Sequence, residues 1–539
     1  METPVLNTSM DLAECRDKWF YDEKFDCWCL EDILYTPVPK DVRFQRLSVY
    51  APKALLREDG TLTEAAKTVP VVFVNSAAGY AQMPHLWLEN PKCTAPQYLK
   101  RGWVYVTCGC RGRETKDAQG KSPATLVDFK TAIRFLRHNR AYLPGDWEKI
   151  VSVGTSAGGA MSTLLGVTGD NANFLAYLQE NGAFMDESDA VWASQIYCPI
   201  TDLEHADMAY EWMFRADKEN EPGPAGPAEI MSPFKEALSE RLSAMYVEYF
   251  NALGLKNPTT GEALILNEDG RSGSGYDYLM ECLNRSATKH LTLLQQGKLP
   301  VEYSVEDYMS GNYTYMTRGP MPRKPDGEKP AGPRPSMGEM QLRPPKGQAM
   351  EHKGPPMVEK QGADKYGWLT WDGEKAVVSD LDTYVLSHRR RMKCCTAFDS
   401  LNMTSPENEV YGSGEYAFLH FSRDLVEAME SLKERFPEEY AKYQETLVVA
   451  LSQEELSRRI WLYNPWNYIG TQEQCVPAKH YRIRVGSCDA DTSFMISMTL
   501  AVKLANAGSG SVDYALVWDQ PHCDADYPEE VCDWIASLL

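Results

Sequence analysis

Long apolar runs, paired cysteine motifs and an excess of positive charge are all missing from this sequence. No stretch approaches about 18 consecutive apolar residues, so no membrane-spanning helix is expected. The 55 lysines and arginines stand against 76 aspartates and glutamates, a formal charge of −21. That balance disfavours nucleic acid and anionic membranes as partners. The 14 cysteines are scattered. CWC (27–29) and CGC (108–110) are too tight and isolated for a zinc motif, so no metal is expected. Reduced thiols in a cytoplasmic protein fit best. The opening METPVLNTSMDLAECRDKWF lacks a basic start followed by an apolar core, so no secretory leader is expected. No internal repeat is visible. Histidines number only nine, which shortens the search for a catalytic base.

What is present is ample apolar material: 539 residues, 43% hydrophobic, enough for a large core. Short β-branched runs recur early: RLSVYAP (46–52), VPVVFVN (69–75), WVYVTC (103–108), KIVSV (149–153) and VWASQIYC (191–198). Two more come late, YRIRVG (481–486) and VDYALVW (512–518). Helical patterns lie between the later early runs, as in VDFKTAIRFLRHNR (127–140), where Val127, Phe129, Ile133 and Leu136 suit one face. EEVCDWIASLL forms a final helix. Alternating strands and helices predict an α/β protein with a mostly parallel, covered sheet. Between about 205 and 465 helical, polar and irregular segments dominate. The predicted organisation is a core over 1–204, an insertion over 205–465 and the rest of the core over 466–539. Residues 319–360 hold ten prolines and many charges, and are expected to form a mobile loop or linker.

VGTSAGG (153–159) follows an apolar run and precedes a helical one. Gly-x-Ser-x-Gly in that context is the nucleophile elbow, a sharp turn that presents the Ser156 oxygen at the strand's carboxyl edge. Such a serine needs a base, and the base an orienting carboxylate, in the chain order Ser, Asp or Glu, His. Only His522, in WDQPHCD, follows the last pair of strand-like runs. RVGSCDADTSF after the preceding strand offers Asp489 and Asp491. Asp489 is nearer the strand end and is assigned to the triad, while Asp491 competes as a cap or first-turn residue of the next helix. Oxyanion donors are expected from the backbone N–H of Ala157 and from Gly79 in the loop NSAAGYAQ.

GTSAGG, YCPITDLEHADMAYEW, RMKCCTAFDSLNMTSPENEVYG, RIRVGSCDADTSF and WDQPHCD together resemble the bacterial tannases. The resemblance runs in blocks from about Tyr35 to the C-terminus and weakens at 319–360. It implies an α/β-hydrolase fold with a large helical lid, and a serine esterase that splits gallic acid from gallate esters and hydrolysable tannins without cofactor or metal. Its partners would be small-molecule galloyl esters, with the preference between simple gallates and polygalloyl tannins left open. It carries Ser156, Asp489 and His522 onto the family's triad, and Gly79 and Ala157 onto its oxyanion donors. It further implies that Lys393, Glu407 and Asp491 bind the ring hydroxyls and that Ile200 and Pro406 sandwich the ring. Carboxylates accept from phenolic hydroxyls and an ammonium donates to their oxygens, so the chemistry of the set is consistent.

The alternatives are a feruloyl or general phenolic-acid esterase of the same fold, a serine peptidase, and a non-catalytic binding protein. The first would not need Lys393, Glu407 and Asp491. The second is expected to carry a gating domain, and no blade-like repeat is seen. The third need not retain Ser, Asp and His together. Oligomeric state is open, with a monomer expected. Cys488 and Cys523 flank the acid and the base and form a candidate redox pair if their Cα atoms approach within about 7 Å. No chemistry is assigned to Asp202, His205 or Asp207.

Overall fold

The computed structural model describes residues 10–13, 18–221, 228–318, 336–343, 357–451 and 454–539. In it the seven β-branched runs become seven strands of one nine-stranded sheet. The strands are β1 (Phe20–Asp22), β2 (Cys27–Leu34), β3 (Arg46–Pro52), β4 (Pro70–Asn75), β5 (Val104–Cys108), β6 (Asp146–Thr155), β7 (Ala193–Tyr197), β8 (His480–Gly486) and β9 (Ser511–Val517). Their order across the sheet is β1-β2-β3-β5-β4-β6-β7-β8-β9. Pairings from β1 to β5 through β3 are antiparallel, and from β5 to β9 every pairing is parallel. Six strands therefore end at one edge, where the loops after β4, β6, β7, β8 and β9 converge. In open α/β sheets that carboxyl edge is where ligands bind.

The sequence pattern did not disclose β1 or β2. Polar Glu31 and Asp32 interrupt the apolar run CWCLEDIL. The reason is a bulge: the β2–β3 register shifts between Leu30 and Ile33, and Asp32 takes a φ of 60°. The segment 127–140 lies mostly in α1 (Ala124–His138), but it does not show one wet face. Every residue from Thr125 to Arg137 is buried. Its charges are covered because they are paired: Arg111 with Asp128 at 2.7 Å, and Lys130 and Arg134 with Asp189 at 2.6 and 2.7 Å.

Between β7 and β8 the chain leaves the sheet. This insertion holds α3 (Leu203–Phe214), α4 (Pro233–Ala252), α5 (Ser274–Gln295), α6 (Leu381–His388), α7 (Pro406–Val410), α8 (Arg423–Leu432), α9 (Pro437–Leu451) and α10 (Glu454–Tyr463). Small antiparallel hairpins join it, including Thr314–Arg318 with Met357–Gln361. Returning to the sheet, α11 (Phe494–Asn506) follows β8 and α12 (Glu530–Leu538) ends the chain. Most of the proline-rich stretch 319–360 lies outside the described residues. Its described part departs from a free linker. Ser336 and Glu339 form a capping box on a single turn, Met337–Met340. That turn is fastened to the core by Arg43–Glu339 at 2.9 Å and by Arg343–Glu31 at 2.7 Å.

Buried charge ties the insertion together. Arg391 and Glu211 pair at 2.6 Å with neither side chain exposed, and the Ser239 hydroxyl donates to the same carboxylate oxygen at 2.6 Å. Removing one member of a buried pair strands the other. Arg391→Met is expected to destabilise the protein by about 3–5 kcal/mol, measured by thermal or urea unfolding. An unchanged transition would contradict that role.

Candidate active site

Ser156 follows β6 and caps α2 (Ala157–Val167), with φ 63° and ψ −122°. This left-handed conformation is costly for a non-glycine residue, and it persists only where its surroundings enforce it. The glycines do so by close approach. A Cβ on Gly154 would come within 2.1 Å of the Gly158 carbonyl oxygen, and one on Gly159 within 2.3 Å of that of Tyr197. The Ser156 N–H donates to Tyr197 O at 3.1 Å, and its carbonyl accepts from Ala160 and Ile200. Asn75, at the end of β4, donates to Val153 O and Gly158 O at 3.1 and 3.0 Å. This clamp was not read from the sequence, where Asn75 is simply the last residue of a strand.

Parallel β8 and β9 bring the acid and base together. His522 Nδ1 donates to Asp489 Oδ2 at 2.8 Å, and the carboxylate is fully buried. The other Asp489 oxygen accepts from the Asp491 N–H at 2.9 Å. Burial opposes ionisation of Asp489, but His522 and then Arg389 hold its carboxyl below the usual range. Burial likewise opposes a charged His522 ring, yet the Asp489 carboxylate outweighs it and holds the ring's pKa well above 6.5. Arg389, just after α6, is a second residue the sequence reading missed. Its guanidinium is buried, donates to Thr492 O at 2.6 Å and lies over the Phe494 ring.

His522 Nε2 lies 4.0 Å from the Cys198 thiol. Cys198 follows β7 and takes a φ of 34°. The candidate Cys488–Cys523 pair is not formed. Both thiols are free; Cys488 turns to His388 at 3.3 Å, and Cys523 turns to Gln520.

Gly79 lies in the loop after β4 with φ 53°, its carbonyl held by Arg113 Nε at 2.9 Å. The same loop abuts the elbow, since a Cβ on Gly158 would stand 2.9 Å from Ala77 O. Ala157 directly follows Ser156, and the Gly79 loop reaches the elbow through Ala77. Ile200 is buried beside Ser156, and its carbonyl accepts from Tyr80 at 2.8 Å.

Lys393 comes from the insertion, and its ammonium donates to Asp491 O at 2.9 Å. One hydroxyl sets that contact. Tyr210 accepts from the Met392 and Lys393 N–H groups and donates to Ala490 O at 2.9 Å. The Asp491 carboxylate makes no hydrogen bond to a described residue, and it lies close enough to His522 to favour the charged ring. Asp491 is not the cap of α11; Ser493 is. Glu407 is buried in the first turn of α7, directly after half-buried Pro406, with Ser405 capping the helix. Burial raises its pKa, and the nearby Lys393 charge partly offsets this.

The three unassigned residues are structural. Asp207 is buried and accepts from the N–H groups of Ala397, Phe398 and Asp399 at 2.7–2.8 Å. Burial, then the Asp399 carboxylate, push its pKa to about 7. Asp399 in turn accepts from Asn408 in α7 at 2.7 Å. Asp202 accepts from Tyr249 and Trp466 at 2.6 and 2.8 Å, and His205 pairs with Asp424 at 2.6 Å. The Asp207 and Asp399 contacts hold the loop between Lys393 and Glu407.

A mostly parallel sheet flanked by helices, with a strained serine turn at its carboxyl edge and a buried Asp–His pair beside it, defines an α/β-hydrolase. The family model described as BD-FAE matches residues 64–222. The native tannin acyl hydrolase of Lactobacillus plantarum is 32% identical, with 95% of this chain and 94% of that chain covered and a TM-score of 0.71. Fusobacterium nucleatum tannase is 27% identical, with 95% of each chain covered and a TM-score of 0.71. A tannin acyl hydrolase in complex with ethyl gallate is 31% identical over 95% of this chain and 94% of that chain, with a TM-score of 0.70. No curated protein matches the sequence. The chain belongs to the tannase (tannin acyl hydrolase) family of carboxylic ester hydrolases. Among the described residues no helix is long and apolar enough to cross a membrane.

A pH dependence follows from the buried pair. With His522 as the base for a serine nucleophile, attack would need a neutral ring, so activity would be present above the His522 pKa and lost as pH falls through it. The kcat/KM on an ester substrate should rise with pH through an apparent pKa above 6.5. Asp489→Asn should move that pKa down and lower kcat by about 10³–10⁴-fold. An inflection at or below 6.5 in the wild type would contradict the electrostatics.

Proposed function

We propose that this chain hydrolyses the galloyl ester, and depside, bonds of gallate esters and hydrolysable tannins, releasing gallic acid through an acyl-enzyme on Ser156. His522 Nε2 takes the Ser156 proton as Oγ attacks the ester carbonyl. The oxyanion is held by the N–H groups of Gly79 and Ala157, each worth about 3–4 kcal/mol in such sites. His522 returns the proton to the leaving alcohol. It then activates water, which releases gallate and frees the serine. The core (1–204 and 466–539) supplies this chemistry, and the insertion (205–465) acts as a lid that decides specificity.

The substrate assignment rests on the Lys393 ammonium donating to Asp491 O at 2.9 Å, on its charge acting on buried Glu407, and on Asp491 lying close enough to His522 to act on its ring. Three adjacent hydroxyls on a flat ring meet two carboxylate acceptors and one ammonium donor, while Ile200 and Pro406 offer apolar faces. A ring lacking those hydroxyls would leave charges unpaired, which polar sites reject strongly. A related tannin acyl hydrolase structure in complex with ethyl gallate supports the same class. A cytoplasmic setting is part of the proposal, supported by 13 free thiols among the described residues.

The test is hydrolysis of methyl gallate, methyl protocatechuate and methyl ferulate, with Ser156→Ala as the blank. Gallate release should be fastest, the dihydroxy ester slower and ferulate slowest. Lys393→Met and Glu407→Gln should each lower kcat/KM on methyl gallate by about 10–150-fold, the loss of one charge-assisted hydrogen bond of about 1.5–3 kcal/mol. Ferulate turnover equal to that of gallate would remove the roles given to these residues.

A further inference from the structure

Away from Ser156, the loops that carry the acid and base meet the insertion in a second polar cluster. Cys488 directly precedes Asp489, and Asp519 lies just after β9, three residues before His522. His388 ends α6, and His290 lies in α5. His388 Nε2 is 3.3 Å from Cys488 Sγ and 3.0 Å from Asp519 Oδ1. The three ligand atoms all lie within 4.8 Å of one another. His290 Nε2 is 3.8 Å from the other Asp519 oxygen.

Hydrogen bonding accounts for only part of this arrangement: Cys488 Sγ also faces His388 O at 3.9 Å, and Tyr308 bonds to Asp519. One nitrogen, with at most one proton, faces a sulfur and a carboxylate oxygen together. Asp519 Oδ1 has no aligned hydrogen-bond partner among the described residues. His290 is only 6% exposed, and neither of its ring nitrogens has a hydrogen-bond partner there. Buried polar atoms left in that state are rare and call for a missing partner. The nearby cation Lys365 is already engaged, donating to Tyr308 O, Ala363 O and the Tyr313 hydroxyl at 2.8–3.2 Å.

We propose that His388, Cys488 and Asp519 bind a divalent transition metal, zinc by ligand type, with His290 at the fourth position. Thiolate, imidazole and carboxylate together suit zinc and not magnesium or calcium, which take oxygen ligands. Zinc bonds of about 2.0–2.3 Å set tetrahedral ligand–ligand edges of roughly 3.3–3.6 Å, so the two His388 contacts, at 3.3 and 3.0 Å, need to open by only a few tenths of an ångström. One thiolate and one carboxylate neutralise the ion. The metal fastens two insertion helices to the loops bearing Asp489 and His522 and does not touch the reacting atoms. It departs from the expectation of no metal, which rested on the absence of a close-spaced motif.

The experiment is metal analysis of the full chain purified without chelator, followed by titration of the stripped protein with Co²⁺. About one zinc per chain should be recovered or taken up. Co²⁺ should give a thiolate charge-transfer band in the near ultraviolet. The other cluster able to hold a metal, Cys198, Asp489 and His522, is separated by variants. The band should survive Cys198→Ser and vanish in Cys488→Ser. His388→Gln provides a second variant should Cys488→Ser fail to fold, with far-ultraviolet circular dichroism as the check. Stripping zinc should lower the wild-type Tm, and zinc should restore it. No band in the wild type overturns the site, leaving a hydrogen-bonded thiol–imidazole cluster. A band that persists without Cys488, or depends on Cys198, overturns it equally.

Discussion

The hydrogen bond between His522 and the fully buried Asp489 is the contact on which the arrangement depends. A carboxylate with no access to water needs compensation, and here it receives the His522 ring, the Asp491 N–H and the Arg389 charge. Each comes from a different piece of chain. Meeting at one point requires β8 and β9 to be parallel neighbours in register and the insertion to pack where it does. The serine side depends on steric exclusion instead: glycines at 154, 158 and 159 allow backbone contacts that any side chain would block.

The insertion answers a different constraint. The segment from Lys393 to Glu407 has little regular structure, so its own backbone ladder cannot position it. Buried side chains do that work. Asp207 gathers three consecutive N–H groups, Asp399 passes the connection to α7, and Tyr210 binds the Lys393 backbone to Ala490. Buried polar groups that are fully satisfied favour one geometry, because each alternative strands a donor or acceptor. The proposed selectivity for a hydroxylated ring would depend on such rigidity, since charges that could relax would tolerate the wrong substrate.

Much of the sheet was legible because β-branched runs and the Gly-x-Ser-x-Gly turn encode local geometry. Chain order alone led to His522, and distance from the strand end separated Asp489 from Asp491. The bulged β2 was not legible, because its polar interruption breaks the strand pattern. Nor was the all-round burial of α1, whose charges look solvent-facing until their partners from distant segments are known. Asn75, Tyr210 and Arg389 carried no motif, and their roles arise only from tertiary contacts. The same is true of the cluster at His290, His388, Cys488 and Asp519: its members are too far apart in sequence for any spacing rule to join them.

The most direct test of the central claim is rapid-quench mass spectrometry of the enzyme during turnover of methyl gallate. The account predicts a single galloyl increment on the peptide containing Ser156, formed in a burst and lost as gallate appears. It should be absent from Ser156→Ala. An adduct on another residue, such as Cys198, or turnover by Ser156→Ala at the wild-type rate, would contradict it.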